Sequence, residues 1–328
     1  MLDLEINKRV DMSTVITGGA GFIGSHFVHR LISQGSKVTV VDNFSSGSRD
    51  FLAPHLNDSD LLQLIELDVE DTDELAKACV GASRIIHLAS NPDIARAATE
   101  PRVDFLQGTC LTESALEVAR INKIPKFILA SGSGVYGDAG VNVLGEDSKL
   151  NPISTYGASK LAGEALLSAY CYMFGVQGTA FRFANVVGPR QTHGITYDLV
   201  TKLRTDSHRL VVLGDGSQSK SYLHVEDIVS GVLSLSDSQS SSFDVFNLAN
   251  DGNITVKEIV GIVLEEMNLN ENATSIEYGQ SPQGWKADVP VVRMESLKAR
   301  NLGWKPTRSS FEAITEAARA RVAETLTL

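Results

Sequence analysis

At 328 residues with 43% hydrophobic content, the chain is long enough to bury a large core as one large domain or two smaller ones. Its 40 acidic residues against 29 Lys and Arg give a formal charge of -11, which excludes nucleic acid and anionic membrane as partners held by general electrostatics. The opening MLDLEINKRVDM is charged and no apolar run approaches the length of a signal peptide or a membrane span, so a cytoplasmic location is expected. Residues 1–11 precede the first strand pattern, either as a short extension or because Met12 is an alternative start. Cys79, Cys110 and Cys171 are odd in number, widely spaced and set in apolar helical patterns, which predicts buried thiols rather than disulfides or a metal site.

In chain order, short apolar runs at 14–17, 37–41, 62–67, 84–88 and 126–130 read as buried strands. Helical patterns at 22–34, 72–80 and 103–122 alternate with them, the last ended by Pro125. A helix over 155–174 and a strand over 177–183 continue the rhythm. Repeated strand-helix units imply an α/β fold with a doubly wound parallel sheet, right-handed crossovers and helices on both faces. After Asn185 the pattern changes to Gly-rich and polar loops with shorter elements, which marks a second, smaller domain. The Ser-rich stretch 236–242 reads as a surface loop.

The first strand runs straight into Gly18, Gly19, Ala20, Gly21, Phe22, Ile23 and Gly24, and a helix pattern follows at once. In that context the glycines point to a dinucleotide: Gly18 for the tight turn, Gly21 for approach of a pyrophosphate, Gly24 for close packing, with the helix N-terminus attracting phosphate charge. Asp42 ends the second strand, where a carboxylate accepts hydrogen bonds from an adenosine ribose and repels a 2'-phosphate, favouring NAD over NADP. Asp42 capping the 43–47 turn is the structural alternative. Asp68 with Val69, and His87 with Leu88, Ala89 and Ser90, stand at the carboxyl ends of the third and fourth strands, where open sheets bind ligands. For His87 itself a satisfied core histidine is expected.

Tyr156 and Lys160 stand four apart at the start of a helix, on one face and within reach of each other. A free tyrosine has a pKa of about 10, so a tyrosine base near neutrality needs a positive charge, which Lys160 supplies. With the glycine motif upstream, the chain resembles the extended short-chain dehydrogenase/reductase family, nearest its NAD-dependent epimerase/dehydratase branch with UDP-glucose 4-epimerase-like members. The strings that carry the resemblance are GGAGFIG at 18–24, VVDNFSSG at 40–47, HLASNPD at 87–93, VYG at 135–137, YGASK at 156–160, RFANVVGPR at 182–190, GDGSQSKSYLHVEDI at 214–228 and GWKADVP at 284–290. The resemblance implies a Rossmann domain over 12–184 with return segments near 218–248, and a C-terminal α/β substrate domain from 185–217 and 249–328. It further implies tightly held NAD, contacted also by Asn43, a nucleotide-sugar substrate, UDP-linked, and a homodimer built from the YxxxK helix and its predecessor. Asn185, Lys220, Lys286 and Asp288 match substrate-binding positions, with a salt bridge as the alternative for the last two. Lys220 replaces the usual Arg and lacks its bidentate fork. Asp227 reads better as a carboxylate at a helix N-terminus.

The departures bear on the reaction. Relatives carry Ser or Thr at the position of Gly132, where the hydroxyl bonds the reacting sugar oxygen, and commonly Asn at that of Gly108. Either Ser131 or Ser133 supplies the missing hydroxyl, or Tyr156 meets the sugar directly; strand alternation favours the latter, because both neighbours of Gly132 point away. Dehydratases carry Asp-Glu, and decarboxylases a Glu, where this chain has Ser133 and Gly134. The expected reaction is therefore epimerisation at C4 through a 4-keto sugar, with Tyr156 as acid/base. The alternatives are a nucleotide-sugar dehydratase, decarboxylase or ketoreductase, and an NAD-binding regulatory protein with an impaired site.

Overall fold

The computed structural model describes residues 13–57, 60–270, 273–285 and 287–324; the question of Met12 and the candidate Lys286 fall outside them. β1 (Thr14–Thr17), α1 (Phe22–Ser33), β2 (Val38–Asp42), β3 (Leu62–Glu66), α2 (Thr72–Ala78), β4 (Arg84–His87), α3 (Leu111–Ile121) and β5 (Lys126–Gly132) form the first half. After the short β6 (Val143–Leu144) come α4 (Thr155–Phe174) and β7 (Gln177–Phe183). β8 (Asn185–Val187), α5 (Ile195–Thr205), β9 (Arg209–Val212), β10 (Ser219–Lys220) and β11 (Tyr222–His224) depart from the rhythm; α6 (Val225–Ser238) and β12 (Phe243–Leu248) return to it. β13 (Ile254–Thr255), α7 (Val256–Glu266), β14 (Ser275–Tyr278), β15 (Val291–Met294), α8 (Leu297–Asn301) and α9 (Ser310–Ala323) complete the chain.

The central sheet has seven parallel strands in the order β12-β7-β5-β4-β1-β2-β3. Its inner strands β1, β2 and β4 are buried at every position because both faces are covered. Ile16, Val40, Ile86, Ile128 and Phe181 enter the core under α1 and α6. Their neighbours Val15, Val41, Ile85, Phe127, Leu129 and Ala180 enter the opposite core, under α2, α3 and α4. Burying a Val, Leu, Ile or Phe side chain contributes about 1.5–3 kcal/mol, so both layers hold the sheet. A separate core gathers Leu199, Val200 and Leu203 of α5, Ile259 and Val263 of α7, and Ile314 and Ala317 of α9.

The helix expected over 103–122 runs to Ile121, with a π-helical stretch near its start. Phe105–Cys110 forms a π-turn, and α3 begins after it. There a Cβ on Gly108 would stand 2.6 Å from Ser159 Oγ and 2.9 Å from its Cβ, so this stretch packs directly on α4, a contact the sequence pattern does not carry. The fifth strand runs two residues past its expected end, to Gly132. Of the cysteines, Cys79 and Cys171 are buried, whereas Cys110, in the π-turn, is only partly so.

Candidate active site

Strand order reverses between β1 and β4, opening a crevice at their carboxyl ends. Gly18 lies there at φ +72°, and a Cβ on it would meet Ala89 N at 2.8 Å, so the turn touches the residues that follow β4. Gly24 backs onto the same turn, its hypothetical Cβ only 2.2 Å from Gly18 O. No side chain caps α1 and its first turn holds no acidic residue. The leading N–H groups at Phe22, Ile23 and Gly24 therefore remain available to an anion, as a dinucleotide pyrophosphate requires.

Asp42 accepts from Ala20 N and Phe44 N, both at 2.9 Å, one with each carboxylate oxygen. It thus ties the glycine turn to the 43–47 turn, and each oxygen keeps a second acceptor direction for a ribose hydroxyl. Burial raises its pKa, opposed by the two amide donors. Asn43 Nδ2 donates to Asp68 Oδ2 at 2.8 Å, joining the ends of β2 and β3; Asp68 is exposed and Val69 buried. Leu88, Ala89 and Ser90 are partly buried beside the glycine turn. His87 is a core residue but only half satisfied: its Nδ1 pairs with Thr17 Oγ1 at 2.8 Å while its buried Nε2 has no partner among the described residues, and burial, with Lys160 second, lowers its pKa to about 3.

Ser154 caps α4 by accepting from Gly157 N, which starts the helix just before Tyr156. Lys160 is buried, its Nζ 5.4 Å from the Tyr156 ring centre and donating to Ala130 O at 3.1 Å. Burial pushes the Tyr156 hydroxyl up to about 12 and pulls the Lys160 ammonium down to about 8; Asp104 adds to the first effect and opposes the second. Asp104 escaped the sequence reading. Its one signal was a carboxylate on the buried side of a predicted helix.

Ser131 is the next-to-last residue of β5. It is 3% exposed and donates to Glu164 Oε1 at 2.5 Å, within a buried network in which Arg182 grips both Glu164 oxygens and also donates to Tyr136 Oη. Gly132 has open space where a side chain would stand, with only Phe183 O within 4 Å. Ser133 is half-buried at the head of the turn Ser133–Val135. A Cβ on Gly134 would press on the first turn of α4, 3.3 Å from Gly157 Cα and 3.7 Å from Tyr156 Cδ1.

On the substrate side, Asn185 Nδ2 donates to Ser221 O at 3.3 Å. Lys220 and Asp288, far apart in sequence, pair at 2.6 Å, and Lys220 Nζ lies 5.2 Å from the Trp285 ring centre. Asp288 is 3% exposed and also accepts from Gly284 N at 3.0 Å. Asp227, in the first turn of α6, is buried and accepts from Thr307 N and Oγ1, a structural tie rather than a ligand contact.

A glycine turn at the sheet's switch point with a Tyr-Lys pair on the adjoining helix defines a dinucleotide-dependent enzyme of the short-chain dehydrogenase/reductase type. The chain belongs to the NAD dependent epimerase/dehydratase family, whose model matches residues 14–249. It is 28% identical over 306 residues to a putative UDP-glucose 4-epimerase of Methanocaldococcus jannaschii, spanning 92% of this chain and 95% of that one. It is 31% identical to UDP-glucuronic acid decarboxylase 1 of Arabidopsis thaliana, over 93% of this chain and 69% of that one. The crystal structure of a UDP-galactose 4-epimerase superposes with a TM-score of 0.84 at 37% identity, covering 95% of this chain and 99% of the other. The protein is thus an enzyme of the NAD-dependent nucleotide-sugar epimerase/dehydratase group. Among the described residues no helix is long and apolar enough to cross a membrane.

Proposed function

We propose that this enzyme epimerises a UDP-hexose at C4 through a transient 4-keto sugar. The observation that carries this reading is Gly134, which packs on the first turn of α4 beside Tyr156 and carries no side chain. A dehydratase or decarboxylase needs an acid there; an epimerase does not. Gly18, Gly21, Phe22, Ile23, Gly24, Asp42, Asn43, Asp68, Val69, Leu88, Ala89 and Ser90 form the cofactor cradle, and the uncapped N-terminus of α1 supports that assignment. Bound NAD supplies the acceptor and donor of hydride. Tyr156 takes the proton of the C4 hydroxyl and later returns it, and the Lys160 charge favours the phenolate. Ser131 is tied to Glu164 and Gly132 has open space where relatives carry the hydroxyl, which together support direct contact between Tyr156 and the sugar.

Asn185 and Lys220 hold the diphosphate, for which Lys220 exchanges the carboxylate of Asp288. Residues 185–217 and 249–324 provide the substrate side, and the protein works as a homodimer through α3 and α4. Incubating the protein with a panel of UDP-sugars and separating the products tests the reaction. Interconverted 4-epimers are expected; loss of mass, or no turnover with NAD bound, overturns the reading.

A further inference from the structure

Asp104 has no place in the chemistry described so far, yet it is 1% exposed, directly before the π-turn. Its Oδ2 accepts from Thr155 Oγ1 at 2.7 Å and its Oδ1 from Asn91 Nδ2 at 2.9 Å. Thr155 is the residue before Tyr156. Asn91 lies on the loop after β4, held by its own bonds to Asp93 and by Asn91 N donating to Gln107 O at 3.2 Å. Both side-chain partners of Asp104 are donors, the pattern a carboxylate accepts. Among the described residues it forms no ion pair with Arg or Lys. A buried anion without a bonded cation is costly to keep, and chains retain such groups where their field is used.

We propose that Asp104 is a positioning residue of the catalytic pair, clamping the first turn of α4 to the loop after β4 and setting a fixed negative charge close to Tyr156 and Lys160. The proposal rests on the assignment of Tyr156 as acid/base. Its field favours the protonated form of both groups. Burial lowers the Lys160 pKa to about 8, and Asp104 opposes that fall, so the ammonium is favoured out of water. For Tyr156 it counters the lysine, so that a phenol which gives up a proton in one half of the cycle recovers it in the other. The second titratable group facing the pair is His87 of β4, which lies near Lys160. Asp93, on the same loop as Asn91, faces His193 and Asp198 instead.

The test reads the phenol without any sugar nucleotide. The NAD-saturated protein is titrated with alkali, and phenolate absorbance of the Tyr156→Phe variant is subtracted to isolate Tyr156. In Asp104→Asn, which keeps the shape and the Thr155 contact by turning the hydroxyl round, the midpoint is expected to fall by about one pH unit. Thr155→Val loses the tie and keeps the charge; its midpoint should stay within a few tenths of a unit while kcat on the UDP-sugar drops. Should Asp104→Asn fail to fold, Asp104→Ser, smaller and neutral, gives the same reading. An unmoved midpoint in a folded, NAD-binding charge-removed variant overturns the proposal. A moved midpoint in a protein that forms no 4-epimer leaves Asp104 its role and overturns the reaction instead.

Discussion

With its hydroxyl pushed up to about 12 by burial, Tyr156 can act as a base near neutrality only if positive charge is brought to it. Tyr156→Phe should therefore cut turnover by at least about 100-fold while leaving NAD binding intact; near-normal turnover would mean that another group moves the proton. Ser131→Ala should behave in the opposite way. Losing a buried hydrogen bond to Glu164 costs about 2 kcal/mol of stability, visible as a lower melting temperature, and turnover per folded molecule should hold. A loss of turnover with unchanged melting would restore Ser131 as the displaced hydroxyl. Asp42 bridges two turns at the carboxyl end of β2, where the proposed cofactor would lie. Asp42→Asn keeps a backbone acceptor but removes the charge, so the preference for NAD over NADP, measured by titration calorimetry, should narrow by about tenfold or more, the equivalent of 1.4 kcal/mol. An unchanged ratio would place discrimination elsewhere.

Helices α1 and α6 cover one face of the sheet and are pinned together by Glu226, which accepts from His26 Nδ1 and Arg30 NH2, both at 2.8 Å. The His26 hydrogen bond, opposed by burial and helped by Arg30, holds the Glu226 pKa at about 2. The group is depressed relative to the unfolded chain. Its contribution is therefore complete above the ordinary carboxylate pKa of about 4.3 and disappears as pH falls through about 2. Glu226→Gln should lower stability by about 1 kcal/mol at neutral pH, with a gap from the parent that closes between those two values. A gap independent of pH in acid denaturation would show that packing, not charge, holds the two helices. Element existence was legible from alternation of strand and helix patterns; the π-helical stretch at Phe105–Cys110, which packs Gly108 on Ser159 of another helix, was not.

At the scale of the whole molecule, the far ends of α3 and α4 expose Ile121 (51%), Tyr172 (75%), Met173 (71%) and Phe174 (44%). Apolar side chains grouped at two adjacent helix ends suit a second copy of the same face. The protein should sediment as a dimer at micromolar concentration and Tyr172→Asp as a monomer with an unchanged circular dichroism spectrum. A monomeric parent would rule the face out.

The sequence by itself determined the features whose cause is local. A strand covered on both sides must be apolar at successive positions, so the parallel sheet is written in its runs. A dinucleotide turn needs glycines at set places, and residues four apart on a helix share a face, so the glycine turn and the Tyr156–Lys160 pair could be read directly. Tertiary structure decided the rest. Ser131 meets Glu164, 33 positions away; Asp104 meets Thr155 across 51; and Lys220 finds Asp288 across 68. Hydrogen bonds and buried charges act over a few ångströms in space and carry no period along the chain, so their partners are set only when the sheet and its helices have packed.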